Sequence, residues 1–106
     1  MKLELHTISR DKKLYNATAT YTDGRVIVRK KSIINIHPGE GFKPSREIVN
    51  LLSQADLIDK NGILQQDVEF SSLSTAASFV TGRVANGTMV WKTEDGKYVR
   101  YALSEK

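Results

Sequence analysis

Residues 71–87 read SSLSTAASFVTGRVANG, and the reading of this stretch decides the fold. Ser72 offers the side-chain oxygen that the free amides of a first helical turn need, and Gly82 is placed to end the helix in a left-handed conformation. Between them Leu73, Ala76, Ala77 and Val80 recur at i, i+3, i+4 and i+7, the apolar stripe of a half-buried helix. Ser74, Ser78 and Thr81 fall on the opposite side. A helix made of such small side chains can lie close to its neighbours, and the apolar side predicts a sheet beneath it.

The strands for that sheet lie on either side. Residues 14–30, LYNATATYTDGRVIVRK, alternate with period two, so that Tyr15, Ala17, Ala19 and Tyr21 share a face. Asp23-Gly24 supplies the positive φ of a tight hairpin turn, and Val26, Ile27 and Val28 make a β-branched return strand. An earlier strand over 3–8 is predicted, joined through the charged turn Arg10–Lys13. Residues 37–44, HPGEGFKP, form a loop. Ser45 then caps a helix with Ile48, Leu51, Leu52 and Ala55 at buried-stripe spacing, expected to pack on the sheet. Lys60-Asn61-Gly62 is a turn, followed by an extended piece through Val68 and Phe70. The last segment, TMVWKTEDGKYVRYAL at 88–103, predicts a second hairpin around Asp95-Gly96, with Met89 and Trp91 on one face.

Together these elements predict an α+β protein, a small single domain over residues 1–106, with antiparallel hairpins packed with two short helices. At 106 residues the chain suffices for one core without staples. Hydrophobic residues at 40% and charged residues at 26% are near globular averages, which argues against disorder. The absence of cysteine excludes disulfides, thiolate metal sites and a cysteine nucleophile. The N-terminal run MKLELHTISRDKK has no apolar core of a signal peptide and no run is long enough to span a bilayer, so a cytoplasmic protein without membrane contact is expected.

The net charge of +4 is unevenly spread, at +5 over residues 1–31, −3 over 32–82 and +2 over 83–106. Basic ends that share a face would attract phosphate. Catalytic chemistry is not signalled. His6 and His37 are the only histidines, neither at a motif spacing with a carboxylate or serine, and HExxH, GxSxG and EF-hand patterns are absent. Catalytic residues, cofactor and metal are therefore all expected to be none. The glycine spacing of Gly82–Gly87 is that of a phosphate loop, but it lacks the lysine and follows a helix where a nucleotide loop precedes one.

The run Phe70–Arg83, then Asn86-Gly87, Trp91 and Asp95-Gly96, resembles a family of bacterial domains of unknown function. That family is found at the C-terminus of GIY-YIG nuclease-like and restriction-modification proteins. Its pattern is roughly F-S-S-P-S-A-A-A, a short apolar piece, G-R, N-G, W and a closing D-G-K. The run is also similar to the broader restriction-enzyme adenine-methylase-associated domains, proposed to read modified DNA. The likeness extends from about Ala17 to Leu103. It departs at Leu73, where the family has proline, at Thr88, where a tryptophan is frequent, and at Lys31, where glycine usually precedes Ser32. The resemblance implies an accessory module beside DNA-modifying or DNA-cutting proteins and carries no catalytic residues.

The expectation is a non-catalytic accessory domain that binds duplex DNA. Its candidate contacts are Ser74, Ser78, Thr81, Arg83, Asn86 and Gly87, aided by Lys30 and Lys31, since Ser, Thr and Arg donate readily to phosphate oxygens. The alternative is a protein-interaction adaptor that docks on a nuclease or methyltransferase subunit through exposed apolar surface. An unmarked hydrolase ranks below both.

Overall fold

The computed structural model describes residues 2–9, 14–36 and 42–104. The turn predicted at Arg10–Lys13, His37 and most of the Gly/Pro loop lie outside the described residues. Strands β1 (Lys2–Ile8), β2 (Asn16–Thr22), β3 (Arg25–Val28), β4 (Val68–Phe70) and β5 (Lys92–Thr93) form one five-stranded sheet in the order β4-β3-β2-β1-β5. Every pairing is antiparallel. Helices α1 (Arg46–Leu52), α2 (Leu73–Thr81) and α3 (Val99–Ser104) and a 3₁₀ turn at Gly87–Met89 complete the α+β architecture.

The period-two pattern sorts the sheet into an inner and an outer face. Leu5, Ala17, Ala19, Val26, Val28, Val68 and Phe70 point inward and are buried. The β2–β3 turn has φ of 50° at Asp23 and 84° at Gly24, the two positive values of a type I′ turn. On the outer face Lys2 pairs with Glu4, Arg25 with Glu69 and Arg29 with Asp67, all solvated, while Lys92, opposite His6, lies over the Tyr98 ring. Exposed pairs of this kind add little stability. They do offset three of its cations.

Helix α2 covers the inner face over β3 and β4. The rings of Phe79 and Phe70 meet at 5.1 Å between centroids. Ser72 accepts the Thr75 amide, and Gly82 closes the helix at φ 71° with its amide on the Ser78 carbonyl. The segment after β3 then stitches sheet to helix. Ile33 bridges Asn16 and Ile63, while Asn35 donates its amide to the Val80 carbonyl and its Nδ2 to that of Thr81. Two otherwise orphaned helix-end carbonyls are thus satisfied.

Two expectations are corrected. Helix α1 starts at its Ser45 cap as predicted but ends at Leu52, leaving Ala55 outside it and exposed. It does not lie along the sheet: buried Ile48 and half-exposed Leu52 line a concavity with Phe79 of α2. The C-terminal hairpin is also reduced to a stub. Trp91 leaves the strand to fill the core, so β5 has only two residues, and past the Lys92–Tyr98 bridge the return chain coils into α3. Met89, set in the 3₁₀ turn, is 37% exposed while Trp91 is fully buried, so the two do not share a face. In the β5 turn the Asp95 carboxyl lies below the ordinary aspartate range, chiefly because the Thr93 hydroxyl donates to it.

A Cβ at Gly24 would meet nothing within 4 Å, so its requirement for glycine is purely conformational. Gly24→Ala is expected to lower unfolding free energy by about 1–2 kcal/mol with the fold intact, measured by urea denaturation.

Candidate nucleic-acid interface

The segment that follows α2 returns across the first turn of the helix. Gly87 lies so close to it that a Cβ would fall inside the Leu73 carbonyl group and against the Ser74 nitrogen. Its φ is outside the left-handed region, so here glycine is required by space and not by conformation. The Gly87 amide donates to Ser74 Oγ at 3.0 Å, and the indole Nε1 of Trp91 donates to the Leu73 carbonyl at 3.2 Å. Asn86 Oδ1 accepts from the Thr88 amide and hydroxyl, which caps the 3₁₀ turn, and the Gly87 carbonyl accepts the amides of Val90 and Trp91. One short sequence thereby clamps a loop onto a helix start.

This geometry corrects the idea of a single hydroxylated outer face on α2. Thr81 is buried; its Oγ1 donates to the Ala77 carbonyl at 2.8 Å and accepts the Arg83 amide at 3.3 Å. Gly87 is buried, the Ser74 hydroxyl holds the loop and Asn86 serves as a cap. Ser78 is half-buried and lines two shallow concavities. Lys30 and Lys31 are exposed in the turn leaving β3, where their amides donate to Asp67 Oδ1 and the Leu64 carbonyl, whereas Arg83 lines a groove with Ser9, Leu14 and Tyr15. The eight candidates therefore divide between fold-holding positions and separate surface positions.

Around Arg83 the surface has a definite form. A groove of about 670 Å³ is walled by Ser9, Leu14, Tyr15, Arg83 and Val90. A second concavity, about 240 Å³, is lined by Lys43, Ser45, Ser74, Thr75 and Ser78. Both are also lined by Val84 and Ala85, which lie between them, Val84 exposed and Ala85 half-buried against the core. Neither lining includes an Asp or Glu among the described residues. Arg83 is exposed, and its guanidinium makes no hydrogen bond or ion pair among the described residues. This contrasts with the outer sheet face, where arginines are matched by acids.

Sequence reasoning passed over Lys43, Tyr15 and Val84. Val84 is 83% exposed, and its only signal in the sequence was an apolar residue just past the Gly82 helix stop. A third concavity, about 410 Å³ between α1 and α2, is lined by Ile36, Phe42, Ile48, Leu52, Ile58 and Phe79 among others. Among the described residues no three His, Asp or Glu side chains gather as metal ligands, and no helix is long and apolar enough to cross a membrane.

Residues 8–102 match the family model described as a domain of unknown function (DUF4357), and the chain belongs to that family. No curated protein and no solved structure matches it.

Gly87→Ala is expected to cost about 3 kcal/mol or more, because backbone atoms on both sides must shift. Ser74→Ala, which only leaves the Gly87 amide unpaired, should cost about 1–3 kcal/mol. Thermal unfolding followed by the emission of the single buried tryptophan measures both.

Proposed function

We propose that this domain is a non-catalytic accessory module that binds duplex DNA, in company with a nuclease or restriction-modification protein. The observation that carries the reading is the surface around Arg83, whose lining holds no Asp or Glu and whose guanidinium has no partner among the described residues. A guanidinium without a partner among the described residues, in a groove lined also by Ser9 and Tyr15 and with Lys43 in the neighbouring concavity, is a site where a phosphate backbone gains charge-assisted hydrogen bonds and releases counterions. The clamp at Gly87 supports it by fixing the loop that presents Arg83, so little ordering is required on binding. The resemblance of the Phe70–Trp91 run to domains beside nucleases supplies the context.

An adaptor reading is favoured by a different feature, the apolar concavity between α1 and α2. Ile36 and Leu52 at its rim are 41% and 46% exposed. Large aliphatic surface left open beside a concavity is the mark of a protein contact.

Fluorescence anisotropy of a labelled duplex separates the two. The expected result is affinity that falls steeply with salt, with Arg83→Ala weakening binding and reducing the slope of log K against log salt by about 1. Absence of binding at low salt would remove the DNA reading and leave the adaptor.

A further inference from the structure

From the shape of the surface around Arg83 we infer that the Val84–Ala85 ridge enters the minor groove of duplex DNA, with the phosphates of the two strands lodged in the concavities on either side. This inference rests on the DNA-binding reading and adds which groove is entered and which base pairs are preferred.

Shape gives the first argument. A minor groove is about 6 Å wide between two phosphate rails, so its complement is a narrow ridge with a trough on each side. Val84 and Ala85 line both troughs, and Val84 is the most exposed large apolar side chain among the described residues. The major groove, about 12 Å wide, asks for a whole helix or a two-stranded ribbon. Helix α2 is not free to serve as that helix, since its first turn is covered by the Gly87 loop, which its Ser74 hydroxyl holds.

Charge gives the second. One trough carries Arg83 and the other Lys43, so each phosphate rail meets one cation and no acid among the described residues. Rigidity gives the third. The ridge is footed on the Gly82 turn, with the Arg83 amide on Thr81 Oγ1, and on Gly87, with its amide on Ser74 Oγ. A ridge so held loses little freedom on insertion.

The chemistry of the ridge sets the preference. Guanine projects its N2 amino donor into the minor groove, and an apolar tip offers that donor no acceptor. Tracts of A·T pairs lack the amino group, so the apolar tip leaves no donor unpaired there. The domain is therefore expected to prefer A·T-rich duplexes.

The test uses the full chain and three labelled duplexes: A·T-rich, G·C-rich, and the G·C sequence with inosine in place of guanine. Inosine keeps the major-groove pattern of guanine and removes the N2 amino group. The expected result is that the A·T and inosine duplexes bind about tenfold more tightly than the G·C duplex, within the range of one unfavourable base contact. Netropsin, a minor-groove ligand, should displace the protein, and Val84→Asn, which offers guanine an acceptor, should narrow the difference without lowering Tm. Equal, salt-sensitive binding to all three duplexes, or inosine behaving as guanine, would overturn the ridge and leave DNA binding standing. No binding to any duplex at low salt would overturn both.

Discussion

The contact between the Gly87 backbone and the first turn of α2 is the constraint on which the rest depends. It brings two peptide segments closer than any side chain at 87 would allow, and hydrogen bonds from the Gly87 amide to Ser74 and from the Trp91 indole to Leu73 hold them there. The indole is fully buried. Its departure from the sheet cuts β5 to two residues and sends the chain into α3, so the C-terminal quarter of the domain takes its path from this one lock. At the other end of α2, Asn35 and Thr81 close the helix against the segment leaving β3.

The same lock shapes the surface. Residues 83–86 span from the left-handed Gly82 to the clamped Gly87, and a loop so footed stands out as a ridge. Ser74, Asn86, Gly87 and Trp91, four of the residues that carry the family likeness, are thus accounted for by the fold. Arg83 and Val84 are not. Both are exposed, and no hydrogen bond or ion pair holds either side chain among the described residues, which is why the functional proposals rest on them and not on the hydroxyl-bearing helix as a whole.

Much of the sheet was legible in the sequence because each signal was local. Asp23-Gly24 encodes its turn directly, the alternation from Tyr15 to Tyr21 fixes which side faces the core, and Ser72 and Gly82 bound α2 to the residue. The misses have a common cause in contacts distant along the chain. Periodicity puts Thr81 opposite the apolar stripe, but Asn35 and the following turn cover it. Alternation at 88–103 reads as a hairpin because it cannot register that Trp91 is claimed by Leu73, eighteen residues earlier. The stripe of α1 predicts burial on the sheet, yet only Ile48 is buried. For the candidate surface, Arg83 was legible as a free cation after a helix stop. The trough that pairs it with Tyr15 and Leu14 was not, since it is formed by segments far apart in sequence that meet only in the fold.

Native-state hydrogen exchange at the Trp91 indole and the Gly87 amide tests the central claim most directly. If the lock organises the domain, both protons exchange only through global unfolding, with the same free energy as the slowest amides of β2 and β3. Exchange at these two sites through a low-energy local opening, while the sheet stays protected, would contradict the account and leave the 83–87 segment a mobile loop.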